Sequence, residues 1–182
     1  MVTPLSQNVP KLRTGLNRCM NFEGHKLDLR FQQVILACGL MVVLCGCGSK
    51  PSRGDLLKAI GQGDAITVEN LLRSYPEMIN YRTPTEGVTL LHVAALSGHK
   101  NVAEILLAKG IDINSKTESG ETPLHTAAWR GKKDVVKLLL EKGADTSVRD
   151  HNGHTALWDA RQWNGPDKEE IILMLQRSGA AE

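Results

Sequence analysis

Histidine pairs are the groups in this sequence with the clearest potential for metal chemistry. His92 and His125 are 33 residues apart, and His151 and His154 are three apart. Packed helices lie about 10 Å apart, so equivalent side chains on neighbouring helices are too far apart to share a zinc ion bound at about 2.1 Å. No Cys lies near His151 and His154 in the sequence. We therefore expect no metal site, with a weak site on this second pair as the alternative.

Nucleophilic catalysis has equally little support in the sequence. The G-x-S-x-G motif is absent, and all four cysteines lie within the first 47 residues. The glycine spacings of phosphate-binding and dinucleotide-binding loops are also absent. Glu169 with Glu170, and Lys132 with Lys133, are typical of solvated helix surfaces. The sequence predicts no catalytic residue and no cofactor.

Charge is distributed unevenly along the chain. The formal net charge is +2. Residues from 47 onward contain 17 Lys and Arg against 18 Asp and Glu, a net −1, whereas residues 1–46 contain 5 against 2, a net +3. The basic excess therefore precedes the part expected to fold. This distribution argues against a nucleic-acid-binding patch and is typical of a targeting segment.

An uncharged apolar run occupies residues 34–44 and contains no Pro. Eleven residues at about 1.5 Å each span about half of the ~30 Å hydrocarbon core of a bilayer. The run is too short for a comfortable transmembrane helix but suits the apolar region of a signal peptide.

The apolar run ends in Leu44, Cys45, Gly46 and Cys47, which resembles the lipobox of bacterial lipoproteins. The resemblance implies a signal peptide over residues 1–46, cleavage before Cys47 and a lipid anchor on that residue. Two or more acyl chains hold a domain stably at a membrane. A secreted or signal-anchored protein is the alternative. A start at Met20 would leave a leader of more usual length, so translation of residues 1–19 stays open.

Residues 47–53 are small and polar, and they are predicted to form a short lipid-anchored tether. Gly48, rather than Asp, follows the lipobox Cys47. In the lipoprotein family, Asp at this position indicates retention at the inner membrane. The resemblance therefore implies the periplasmic side of the envelope, with the outer membrane favoured.

A period of 33 residues organises the rest of the chain. It relates Gly87, Gly120 and Gly153; Thr89, Thr122 and Thr155; Leu91, Leu124 and Leu157; and Ala94, Ala127 and Ala160. Within one unit, Thr122 and Pro123 suit the N-cap and first position of a helix. Leu124, Ala127 and Ala128 have the spacing of one apolar helix face. A second helix follows, and such a unit must stack on neighbours to bury its apolar residues.

Two aligned units are near-complete: GVTLLHVAALSGHKNVAEILLAKGIDIN and GETPLHTAAWRGKKDVVKLLLEKGADTS. They resemble ankyrin repeats, whose pattern is G-x-T-P-L-H-x-A-A-x-x-G-x-x-x-V-V-x-x-L-L-x-x-G-A-D. The resemblance implies an all-α solenoid of about four helix-turn-helix repeats with projecting loops, at residues 54–86, 87–119, 120–152 and 153–182. The two outer units depart from the pattern, as capping repeats do.

Ankyrin repeats bind partners through their loops and the exposed side of their first helices. Carried over by position, this face contains Leu96 and Ser97, Trp129 and Arg130, and Gln162 and Trp163. Since Trp and Arg are frequent interface hot spots, we predict an exposed cluster of Trp129, Arg130 and Trp163. The alternative is that Trp163 packs under the inserted loop and Trp129 lies on the seam between repeats. The predicted loop contacts are Lys116, Glu118, Ser119, Glu121, Arg149, His151 and Asn152.

The sequence thus favours a monomeric protein–protein interaction module, anchored in the bacterial cell envelope, that binds an envelope or extracellular protein. An immunity or inhibitor protein that neutralises a toxic enzyme would have the same scaffold and is the second hypothesis. An enzyme or metal-binding protein built on the loops is the third.

Overall fold

The computed structural model describes residues 51–180, so the predicted leader and Cys47 lie outside the described residues. Eight α-helices follow one another in pairs: α1 (Arg53–Gln62) and α2 (Ala65–Ser74), α3 (Leu90–Ser97) and α4 (Lys100–Ala108), α5 (Pro123–Trp129) and α6 (Lys133–Glu141), α7 (Ala156–Gln162) and α8 (Lys168–Arg177). A 3-10 helix, Pro76–Asn80, follows α2. Across this range the backbone forms no strand, only a bridge between Arg82 and Thr89. The predicted all-α repeat solenoid is confirmed.

The helices form two layers. The inner layer contains α1, α3, α5 and α7, each packed on the next, and the outer layer contains α2, α4, α6 and α8 in the same order. Ala94, Ala127 and Ala160 are fully buried in the inner helices, where a small side chain lets neighbouring helices approach closely. Leu, Val and Ile side chains from both layers fill the core between them. None of the helices within residues 51–180 is both long and apolar enough to cross a bilayer.

A Thr in extended conformation begins three of the inner helices: Thr89, Thr122 and Thr155. The third residue of α3 is His92, whose Nδ1 accepts a hydrogen bond from the Thr89 backbone N–H at 3.3 Å and lies 2.8 Å from the Thr89 hydroxyl. His125 makes the same contacts to Thr122 at 3.2 and 2.8 Å. The histidine therefore closes the turn that starts each central repeat, as expected of a structural residue.

The same histidines also link one repeat to the next. Nε2 of His92 lies 3.1 Å from the carbonyl oxygen of Glu121, and Nε2 of His125 lies 3.3 Å from the carbonyl oxygen of His154. A carbonyl oxygen only accepts hydrogen bonds, so Nε2 carries the hydrogen. Because Nδ1 accepts from the backbone N–H of Thr89 or Thr122, it carries no hydrogen, and the ring is neutral. Burial lowers the pKa of His92 to about 4 and also lowers the pKa of His125.

Backbone hydrogen bonds join the projecting loops into a ladder. The N–H of Glu118 donates to the carbonyl of Glu86, and the N–H of His151 donates to the carbonyl of Ser119, both at 2.9 Å. The loops are thus held in register along one side of the stack, and their side chains are free to vary.

Side chains from the next repeat cover the glycines near the ends of three inner helices. His99 lies on Gly63, Lys132 lies on Gly98, and Trp163 lies on Gly131. These glycines have φ of +74°, +83° and +61°, and a Cβ at any of them would collide with the covering side chain. Glycine is needed there both for the left-handed backbone and for the close approach.

The placement of Trp163 corrects the predicted exposed cluster of three residues. Helix α7 ends at Gln162, and Trp163 continues in an extended conformation (φ −67°, ψ 133°), whereas Arg130 at the equivalent position stays near-helical (φ −94°, ψ 4°). The changed direction turns the Trp163 ring inward, into the space between Gly131 and Gly165. The ring is half-buried and its indole nitrogen is fully covered. The inserted segment therefore packs on the third repeat through Trp163, as the alternative expected, whereas Trp129, which the same alternative placed on the seam between repeats, is 49% exposed.

Replacing Trp163 should destabilise the stack more than replacing Trp129. Trp163→Ala in the full-length chain is expected to lower the free energy of unfolding by about 2–3 kcal/mol, because the ring fills space that the glycines cannot fill. Trp129→Ala should cost less than about 1 kcal/mol, since that side chain is 49% exposed. Urea unfolding followed by far-UV circular dichroism measures both, and equal losses would contradict this packing.

The buried histidines predict acid sensitivity. The pKa of His92 falls from 6.5 to about 4 on folding because burial disfavours the charged ring. Its stabilising contribution is complete above pH 6.5 and is lost as the pH falls towards 4. In urea unfolding at a series of pH values, His92→Gln should reduce the slope of stability between pH 6 and 4.5 by up to about 1.4 kcal/mol per pH unit. Identical slopes in the two proteins would show that His92 is not buried neutral.

Candidate binding groove

A groove of about 420 Å³ lies where the exposed side of the inner helices meets the projecting loops. Its walls come from α3, α5, α7 and the loops before α5 and α7. The residues that line it are Leu96, Glu121, His125, Thr126, Trp129, Asp150, Asn152, His154, Trp158 and Asp159. We call this surface the inner groove.

Trp129 and Leu96 occupy the predicted column and are exposed, at 49% and 42%. The Arg130 guanidinium lies 4.4 Å from the centroid of the Trp129 ring, a cation–π contact that holds both side chains at the surface. Gln162, the third member of the column, is exposed beyond the lining of the groove, and Ser97 is half-buried. The structure therefore brings Leu96, Trp129 and Arg130 together and separates Trp163 from them.

Trp158 is a groove residue that sequence reasoning missed. It follows His92 and His125 at the 33-residue spacing, so it occupies the position of the structural histidine in the last repeat. Trp cannot close the turn as the histidines do, because its indole has no acceptor nitrogen. The Trp158 ring instead stacks on His154, with centroids 3.6 Å apart and planes 2° from parallel, and stays 41% exposed. The change from His to Trp within the repeat was the available signal.

Asp150 fixes the loop that carries His154. Its Oδ1 accepts hydrogen bonds from the backbone N–H groups of Asn152 and His154 at 2.9 and 2.7 Å. Burial alone would raise the pKa of the Asp150 carboxyl, but these hydrogen bonds outweigh it and lower the pKa. Asp150 is therefore a fixed negative charge at the wall of the groove.

Asp159, like Asp150, is an acidic residue of the groove that sequence reasoning missed. It lies one residue beyond Trp158, in the column of Val93 and Thr126. Burial, followed by repulsion from Glu121 and Asp150, raises the pKa of Asp159 to about 7. Neither Lys nor Arg is among the described residues that line the inner groove, so three carboxyl groups face it without a basic side chain between them.

The predicted loop residues all lie at the surface: Lys116, Glu118, Ser119, Glu121, Arg149, His151 and Asn152. Glu118, Ser119 and Glu121 share a shallow depression with Glu86 at the loop tips. Arg149 is held in its own loop, where Nη1 donates to the carbonyl of Gly153 at 2.6 Å. Glu121 and Asn152 also line the inner groove, so the loop contacts and the helix column form one continuous surface.

Metal-binding geometry is absent from the described residues, where no three His, Cys, Asp or Glu side chains are grouped for one ion. The rings of His151 and His154 also contact different groups. His154 stacks on Trp158, while the His151 ring lies over Gly120. Exposed indoles beside polar loop groups are instead the composition of a surface that contacts another macromolecule.

A family model described as ankyrin repeats (3 copies) matches residues 40–117, 56–150 and 112–181 of the chain. The curated protein named putative E3 ubiquitin-protein ligase XBAT31, from Arabidopsis thaliana, is 33% identical over 63 residues, which are 35% of this chain and 14% of that protein. Probable E3 ubiquitin-protein ligase XBOS33, from Oryza sativa subsp. japonica, is 34% identical over 76 residues, 42% of this chain and 14% of that protein.

The matched region is thus about one seventh of the length of these curated relatives. The family match, in contrast, covers most of the chain and the whole of the described solenoid. Its repeats are the same helix pairs that build the inner groove. The chain therefore belongs to the ankyrin-repeat family, and its solenoid is a protein–protein interaction module.

Proposed function

We propose that the inner groove captures a protein partner while a lipid on Cys47 holds the repeat domain at a bacterial envelope membrane. The observation that carries the first half is the exposure of Trp129 and Trp158 beside each other on one concave surface. Large aromatic side chains in a concavity are rarely left in water by a monomer without a binding role.

The lipid anchor is supported by the sequence around Cys47. Leu44, Cys45 and Gly46 precede it in the lipobox order, and the uncharged run of residues 34–44 precedes them. Gly48 and Ser49 follow Cys47 and are small residues of the kind found in short links between an anchor and a domain. The partner in this proposal is therefore an envelope or extracellular protein.

The proposal assigns no catalytic activity to the chain. The two plant relatives are named as ubiquitin ligases, but the shared region is 14% of their length. The family match supports a binding role, and no feature of the inner groove in residues 51–180 leads us to propose a reaction. The binding surface accounts for the ionisable groups of the groove without a reaction.

Partner capture should depend on Trp129 and Arg130. The double variant Trp129→Ala, Arg130→Ala in the full-length chain should capture the partner from envelope extracts at least about 30-fold less well, since hot-spot side chains each contribute about 2 kcal/mol or more. The matched control is Leu173→Ala, Arg177→Ala, which removes an exposed apolar and an exposed basic residue from α8. Quantitative mass spectrometry of the captured proteins reports both, and circular dichroism checks folding. Equal capture by the two variants would exclude this surface.

Lipid attachment should require Cys47 and not Cys45. A bacterium that expresses the full-length chain in the presence of an alkyne-labelled fatty acid should incorporate the label into the wild type and into Cys45→Ser. Cys47→Ser should carry no label and should keep its leader, because lipidation precedes cleavage in the lipoprotein family. Gel fluorescence and intact mass measure these outcomes. Label that persists in Cys47→Ser would refute the anchor and leave the groove unaffected.

A further inference from the structure

The inner groove combines aromatic faces with an excess of negative charge. Glu121, Asp150 and Asp159 come from two loops and a helix, and their carboxyl groups meet at one surface. The side chains of Trp129 and Trp158 lie on the same surface, each between two-fifths and one-half exposed. An indole face and a carboxylate both attract a cation. Each attraction is stronger where water is partly excluded.

Among the acidic groups of the inner groove, Asp159 is the one whose surroundings disfavour the charged form most. Within residues 51–180 no hydrogen bond and no ion pair stabilises its carboxylate, and the charges that act on it are those of Glu121 and Asp150. A cation bound from outside the chain would offset the repulsion of Asp159 by Glu121 and Asp150. Such a ligand stabilises the charged form of Asp159 and gains an attraction that no basic side chain of the groove supplies.

Trp129 already shows which cation its ring accepts. The Arg130 guanidinium lies 4.4 Å from the ring centroid, so the indole and a planar guanidinium fit together in this environment. A guanidinium also binds a carboxylate through two parallel N–H donors, which an ammonium group cannot do. The combination of indoles and carboxyl groups therefore favours arginine over lysine.

We propose that the inner groove receives an arginine side chain from a basic segment of the partner protein, with the guanidinium against the carboxyl groups of Asp159 and Glu121 and beside the indole of Trp129. This inference rests on the proposed function, since it names the partner chemistry of the same surface. The acidic side chains at the loop tips, Glu86 and Glu118, extend the negative surface along which further basic residues of the segment would lie.

The test uses the full-length chain in detergent micelles and the peptide acetyl-Gly-Arg-Gly-amide as the probe. The sequence contains three Trp residues, so a ¹H–¹⁵N correlation spectrum shows three indole signals. Titration should move the signals of Trp129 and Trp158, which line the groove, and leave that of Trp163, which is packed between glycines. The neutral isostere citrulline in place of arginine should leave all three unmoved, and lysine should bind more weakly than arginine.

Two variants locate the charge. Asp159→Asn should weaken the arginine peptide about tenfold, whereas the exposed Asp134→Asn on α6 should have no effect. In the wild type the affinity should rise about tenfold from pH 6 to pH 8, because Asp159 must lose its proton near pH 7 to pair with the cation. Glu121, Asp150, His125 and His154 face the same site in both proteins, so loss of this pH dependence in Asp159→Asn assigns it to Asp159.

The outcomes separate this inference from the proposed function. Equal binding of the arginine and citrulline peptides, unmoved groove indoles, or unchanged affinity in Asp159→Asn would each overturn the arginine site. If partner capture still depended on Trp129 and Arg130, the groove would remain a protein-binding surface for a different chemistry. If capture did not depend on them while the arginine peptide bound as expected, the failure would lie in the proposed function.

Discussion

No helix pair within residues 51–180 can cover its own apolar face, and the rest of the solenoid depends on neighbouring pairs covering it for each other. Fully buried Ala94, Ala127 and Ala160 keep the inner helices close. His92 and His125 then tie the two central repeats to the loop that follows each of them through a carbonyl contact. Because one ring closes its own turn and also reaches the following loop, local helix initiation and stacking are stabilised by the same residue.

This arrangement separates the residues that stabilise the fold from those that determine the chemistry of its surface. One side of each inner helix is committed to Ala and Leu, with the neutral histidine in α3 and α5, whereas the other side faces solvent. The solvent-facing positions recur every 33 residues and form columns, so Leu96 and Trp129 lie in line because their backbones are equivalent. The fold therefore supplies positions, and the side chains at those positions determine what the inner groove binds.

The repeat, its helix starts and its buried alanines were predictable because each depends on residue type and spacing along the chain. The placement of the two tryptophans in the last repeat was not predictable, because it depends on where the regular pattern stops. Trp163 turned inward because the backbone becomes extended directly after α7, whereas Arg130 keeps near-helical dihedral angles directly after α5. Trp158 was visible as a departure from His, but its place on the groove depends on the folded loop that brings the His154 ring against it.

The local charge of the groove is another property that composition alone could not predict. Residues from 47 onward have a net charge of −1, which suggests no strong field anywhere on the folded part. The fold nevertheless places Glu121, Asp150 and Asp159 around one concavity, where burial of the Asp159 carboxyl, followed by repulsion from Glu121 and Asp150, raises the pKa of Asp159 to about 7. A weak overall charge and a strong local negative field are compatible because the field depends on which loops the stack brings together. The acidic character of the inner groove is thus a property of the stacking geometry, which the balance of charged residues conceals.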